Sequence, residues 1–121
     1  MKTIIDANVI LRYLLRDNEE MYLKATEIIN KGACTLYEII AEVVYVLSGV
    51  YNVSREEIAY ALDILLDEIE ISEVDVMKYA LNLYKREKID FVDCIVIAKN
   101  KVLGSDIFTF DKKINKIING I

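Results

Sequence analysis

A chain of 121 residues, 55% of them apolar and 29% charged, has room for one hydrophobic core and lacks the polar bias of disordered proteins, so residues 1–121 are expected to form a single domain. Its formal net charge is −5 and it contains no histidine. The charge weighs against a nucleic-acid partner, whose affinity is drawn from Lys and Arg, unless bound cations supply what is missing. The lack of histidine excludes Ser-His-Asp and Cys-His catalysis, RNA cleavage by a histidine pair and imidazole zinc sites. Carboxylates, lysines, hydroxyls or a bound ion remain as reactive groups.

The opening "MKTIIDANVILRYLLRD" is apolar, but Asp6 and Arg12 interrupt it and no small-residue cleavage pattern follows, so it is not read as a signal peptide. No apolar stretch reaches membrane-spanning length, and a soluble cytoplasmic protein is expected. Cys34 in "ACTLY" and Cys94 in "VDCIVIA" read as core packing more readily than as a disulfide or metal site.

In chain order, "KTIID" reads as a short buried strand. An apolar-periodic helix "ANVILRYLL" follows, then the polar break "RDNEE" and a second helix through "MYLKATEIINK" closed by Gly32. "ACTLYE" is a second strand. "IIAEVVYVLSGVY" is a buried helix, with Ile39, Val43, Val46, Leu47 and Val50 at helical spacing. Two capping boxes, Ser54 with Glu57 and Ser72 with Asp75, announce further helices, and the strand "EIEI" lies between them. "FVDCIVIAKNKVL" is a helix ended by Gly104, "DIFTF" a last strand, and "DKKINKIING" a terminal helix. This alternation predicts an α/β fold, a three-layer α/β/α sandwich around a central parallel sheet of about four to five strands.

In open parallel sheets, ligands collect at the carboxyl ends of the strands. Asp6 directly follows the first strand, Asp111 the last, Glu42 lies in the helix after the second, and Asp93 heads the helix that leads to the last. All four are expected to face one cleft. Asp6 and Asp111 are equally readable as helix caps, with Asn8 able to share the first cap. Asp90 stands three residues before Asp93, so one of that pair is expected to cap the helix and the other to do chemistry. Glu42 is the hardest to explain as structure, because its neighbours are apolar on every side. It is read as a metal-held carboxylate, with a buried arginine ion pair as its alternative. Crowded carboxylates repel, and a divalent ion relieves that repulsion; oxygen-only ligands select Mg²⁺ or Mn²⁺ and suit phosphodiester hydrolysis.

The motifs "IIDANVILRYLL", "AEVVYVLSGVYNVSREEI", "DFVDCIVIA" and "TFDKK", in this order over nearly the whole chain, resemble the PIN-domain ribonucleases, and most closely the VapC-like toxins of toxin–antitoxin pairs. The resemblance implies that Asp6, Glu42, Asp93 and Asp111 are the catalytic, metal-binding quartet, supported by Asn8, Asp90 and Thr109. Ala7 stands where the commonest first motif has Thr, which removes one hydroxyl from the edge of the site. The resemblance further implies Mg²⁺- or Mn²⁺-dependent endoribonuclease action, a homodimer, and inhibition by a small VapB-like antitoxin whose tail occupies a groove near the site. "NVILRYLL" and the helices from Ser54 to Lys88 offer faces for either partner. Arg12, Arg16, Lys99, Lys101, Lys112, Lys113 and Lys116 are candidates for holding the RNA backbone, although most of them read more readily as plain surface charges.

Rival readings explain less. A haloacid-dehalogenase-like phosphatase wants a second acid where Asn8 stands, and a receiver domain leaves Glu42 unexplained. An rRNA-processing nuclease of the same fold, or a catalytically silent PIN-like binding module, remains as the alternative.

Overall fold

The computed structural model describes residues 2–120, which fall into two compact units divided between Ser72 and Glu73. The first opens with strand β1 (Thr3–Ile4) and helix α1 (Ala7–Leu15), continues through α2 (Glu19–Lys31) and β2 (Ala33–Cys34), and ends with α3 (Tyr37–Gly49) and α4 (Arg55–Leu65). The second is helical: α5 (Val74–Arg86), α6 (Phe91–Leu103) and α7 (Lys112–Asn119).

Local signals set most helix ends in the first unit. The Asp6 carboxylate accepts from the Val9 amide at 3.0 Å and starts α1. Asn18 does the same for α2 through the Met21 amide, and Ser54 for α4 through the Glu57 amide, returning its hydroxyl to the Glu57 carboxylate. Each such cap satisfies an otherwise orphaned donor and is worth about 1 kcal/mol. Gly32 ends α2 at φ 118°, a left-handed value that a side chain would strain. Between these ends, Ile10, Ile40, Val43, Val44, Ile58, Leu62 and Leu65 are buried.

The parallel sheet is smaller than the sequence predicts. β1 pairs with β2 in register Thr3 with Ala33, and beyond β2 only Glu70 joins, as a single parallel bridge to Cys34. "EIEI" therefore contributes one bridging residue, and "DIFTF" forms no strand. β1 is also exposed, Ile4 at 60%, where a buried strand was expected; Ile5 just after it is the buried residue. The chain is α/β with a parallel sheet, but among the described residues two strands and a bridge stand where four to five strands were expected. Runs this short bury too little to declare strand pairing locally.

What the small sheet does is tie three chain segments at one point. The Ile5 amide donates to the Cys34 carbonyl at 2.9 Å, and the Thr35 hydroxyl donates back to the Ile5 carbonyl at 3.2 Å. The Thr35 amide donates to the Glu70 carbonyl at 3.0 Å. Among the described residues, Thr35 is the buried polar one, 4% exposed, and its hydroxyl is satisfied as burial demands.

In the second unit, α6 packs against both α5 and α7. Fully buried Phe91 meets Tyr84 edge-to-face with ring centroids 5.5 Å apart, and Cys94 and Ile97 are buried beside it on the same helix. Burial of a side chain the size of Phe91 contributes roughly 1.5–3 kcal/mol. Both cysteines are thiols, Cys94 in the core as expected and Cys34 half-buried. The Ser72 capping box does not form: α5 starts one residue later, with Glu73 at φ 49° and no side-chain cap. Glu73 instead reaches Lys99 at 2.9 Å, an ion pair across 26 residues of sequence. No described helix is long and apolar enough to cross a membrane.

Thr35→Val keeps the shape of the Thr35 side chain and removes the donor to the Ile5 carbonyl. Urea unfolding is expected to show a loss of about 1–3 kcal/mol, the cost of an unmade buried hydrogen bond; an unchanged midpoint would show that the clamp contributes nothing.

Candidate active site

The candidate acids divide between the two units. In the first, Asp6 is exposed and commits one oxygen to capping α1. A carboxylate offers about four acceptor sites, so the cap leaves capacity for another ligand. Asn8, in the first turn of α1, is exposed and lines a groove of about 300 Å³ with Ile4, Val9, Arg12 and Met21.

Glu42 corrects the sequence reading. The residue expected to be buried among apolar neighbours is exposed. Glu38, Glu42, Tyr45 and Gly49 are all exposed on α3, while Ile40, Ala41, Val43, Val44 and Leu47 are buried. At 100° per residue, positions 38, 42, 45 and 49 form one stripe. The helix does have a solvated face, hidden in the sequence because a tyrosine and a glycine occupy part of it. Both the burial argument and its alternative, a buried arginine pair, therefore lapse for Glu42.

The second unit carries Asp90, Asp93 and Asp111. Asp90 is the cap of the pair, its carboxylate accepting from the Val92 amide at 3.2 Å. Asp93 stands in the first turn of α6, half-buried. Its carboxyl is pushed above the ordinary aspartate value, first by desolvation and then by the negative charges of Asp90 and Asp111. Asp111 caps α7 through the Ile114 amide at 2.9 Å, and its own amide donates to the Thr109 hydroxyl at 3.0 Å.

One residue that sequence reasoning passed over also belongs here. Asn115 donates from its side chain to the Thr109 carbonyl at 3.0 Å, holding the turn that carries Asp111. Its position four residues after a capping Asp is the signal that could have singled it out. The unit thus sets three carboxylates in mutual repulsion, two anchored as caps and the third partly desolvated. Such an all-oxygen, anionic donor set suits a hard divalent cation. Among the described residues, no group of three or more His, Cys, Asp or Glu side chains is placed so that together they could hold a metal ion.

Several candidate RNA-holding cations are engaged elsewhere. Arg12 pairs with Asp17 at 2.6 Å and donates to the Tyr51 hydroxyl. Arg16 pairs with Glu19 and lies 4.2 Å from the centre of the Tyr22 ring, and Lys99 pairs with Glu73. Tyr22 in turn stacks on Tyr13, whose hydroxyl donates to Glu68 at 2.9 Å. Burial and that hydrogen bond push the Tyr13 phenol up to about 12. This is surface structure fastening α1 and α2 to the turn after α4.

Comparison with known proteins agrees with the motif order. The chain is 26% identical over 125 residues to a VapC ribonuclease of Aquifex aeolicus (strain VF5), covering 94% of this chain and 90% of that protein. No solved structure matches it significantly. The PIN domain family pattern matches residues 3–119. With a match of that extent, the chain belongs to the PIN domain family.

Proposed function

We propose that this protein is a metal-dependent endoribonuclease, the toxin of a toxin–antitoxin pair acting in the cytoplasm. The observation that carries the reading is the PIN family match over residues 3–119, which spans both units; the Asp93 carboxyl, raised by desolvation beside Asp90 and Asp111, is in keeping with it. The VapC ribonuclease relative supports the substrate class. The match across residues 3–119 also supports one nuclease domain with the full sheet of the family.

In this proposal, Asp6, Glu42, Asp93 and Asp111 are the catalytic carboxylates and hold Mg²⁺ or Mn²⁺. Such an ion supplies charge stabilisation for the phosphodiester transition state and lowers the pKa of attacking water. The protein's own groups orient the site. Asp90 caps α6 and so sets the angle at which Asp93 is presented, and Thr109 and Asn115 fix the turn before Asp111. Asn8 offers an amide beside Asp6 for a phosphate or water. The capping bonds hold Asp6 and Asp111 in place before substrate arrives, which lessens the reorganisation needed at the moment of reaction.

The partners are an RNA substrate, a second copy of the chain and a small VapB-like antitoxin. Exposed Tyr60 and Ile64 on α4 support a homodimer face. The groove lined by Ile4, Val9 and Met21 supports docking of an apolar antitoxin segment.

Two substitutions separate chemistry from folding. Asparagine caps helices as well as aspartate does, and Glu42 is exposed, so Asp6→Asn and Glu42→Gln should leave stability within about 0.5 kcal/mol. With Mg²⁺ or Mn²⁺, wild type is expected to cleave a structured RNA, each variant to be slower on the order of 100-fold or more, and EDTA to abolish cleavage. Wild-type rates in either variant would remove that residue from the site, and cleavage in EDTA would remove the metal.

Asp93 gives a pH test. Its folded-state pKa is raised, so the folded protein holds that proton more tightly than the unfolded chain, and stability is lost as pH rises from the ordinary aspartate value through the raised one. Without metal, Asp93→Asn should therefore melt higher than wild type near neutral pH, with the gain vanishing below about pH 3 where both states are protonated. A gain independent of pH would mean that the carboxylate charge is not its source.

A further inference from the structure

Within the first unit, α1 packs against α3, and both turn apolar side chains inward, Ile10 and Leu11 from α1 and Val43, Val44 and Leu47 from α3. Apolar burial is non-directional, so it holds two helices together without fixing how they are rotated or slid against each other. Arg12 makes the directional contact. From α1 it donates through Nη2 to the Tyr51 hydroxyl at 3.4 Å, across 39 residues of sequence, while its Nη1 meets the Asp17 carboxylate at 2.6 Å. Both partners are themselves anchored. The Val50 and Tyr51 amides donate to the Val46 carbonyl and the Val53 amide to the Leu47 carbonyl, so Tyr51 continues the last turn of α3. Asp17 directly precedes Asn18, the cap of α2. The guanidinium thus joins α1, the start of α2 and the end of α3. Its Nε is buried and finds no hydrogen-bond partner among the described residues. An unmet buried donor costs stability, so packing alone is a poor account of an arginine at this position.

We propose that Arg12 and Tyr51 are positioning residues of the candidate active site: their hydrogen bond sets α1 against α3 and so fixes where Asp6 and Glu42 stand relative to each other. Asp6 starts the helix that carries Arg12, and Glu42 lies in the helix that Tyr51 continues. A shift of either helix is therefore passed on to its carboxylate. Misplacing a reacting group by about 1 Å costs on the order of 100-fold in rate even when the cause is remote from the chemistry. The assignment rests on the ribonuclease reading, and it gives Arg12 a task other than holding the RNA backbone. A phosphate would have to displace a carboxylate already paired at 2.6 Å.

The test compares the full chain as wild type, Tyr51→Phe, Arg12→Met and the double variant, at a temperature where circular dichroism shows each to be folded. Cleavage of a structured RNA in Mn²⁺ gives kcat and KM, and fluorescence anisotropy of the same RNA in EDTA gives its affinity. Tyr51→Phe, which removes the hydroxyl alone, should lower kcat roughly 3-fold and Arg12→Met roughly 10-fold, with KM and RNA affinity unchanged. The double variant should be no slower than Arg12→Met, because both residues act through one contact. Residual dipolar couplings of the α1 and α3 amides, measured without RNA or metal, should report a changed angle between the helices in both single variants. Should Arg12→Met not fold, Tyr51→Phe decides alone. A lowered melting temperature with wild-type kcat would make the contact merely structural and overturn the proposal. So would weakened RNA binding by Arg12→Met with kcat intact, which returns Arg12 to the RNA backbone. A changed helix angle in a protein that never cleaves sinks the nuclease reading and leaves the brace standing; cleavage with an unmoved angle does the reverse.

Discussion

The first unit depends on the clamp where its strands end. Ile5 gives its amide to Cys34 and takes the Thr35 hydroxyl on its carbonyl, while Thr35 gives its amide to Glu70. Three segments distant in sequence are closed around buried backbone groups that would otherwise be left unsatisfied. Asp6 is the next residue after Ile5, so the same hydrogen bonds that complete the sheet fix where α1 begins and where the Asp6 carboxylate stands. In the second unit, caps do the corresponding work: Asp90 and Asp111 start α6 and α7.

Those caps explain why folding and chemistry are compatible in so acidic a chain. Each capping carboxylate accepts from a backbone amide at the positive end of a helix. Asp93 has no such offset against its partial desolvation and its two acidic neighbours. Strain of this kind is what a divalent cation relieves, and it is concentrated in the unit whose surplus of lysines suits an anionic polymer. A net charge of −5 averages over two units of opposite balance and so says little about whether the chain meets RNA.

Helices with strong local punctuation were legible in the sequence. Ala7–Leu15 and Phe91–Leu103 match their expected bounds because an acid cap precedes each apolar-periodic run. Features set by distant partners were not. The Ser72 capping box loses to an ion pair between Glu73 and Lys99, and the strands shrink to residues whose pairing is decided across the fold. Glu42 was misread because its neighbours looked apolar on every side, although Tyr45 and Gly49 share its exposed stripe. Its candidacy now rests on the motif order alone, whereas that of Asp93 gains from its surroundings.

The central claim is that these carboxylates hold a divalent cation, and calorimetric titration of the full chain with MnCl₂ tests it most directly. Wild type is expected to bind Mn²⁺ at about pH 7 and to bind it more weakly, with greater proton release, at about pH 4, because Asp93 must give up its proton to the ion. Asp93→Asn should bind weakly at both. Absence of binding by wild type at about pH 7, or equal affinity in the Asp93→Asn protein, would contradict the account.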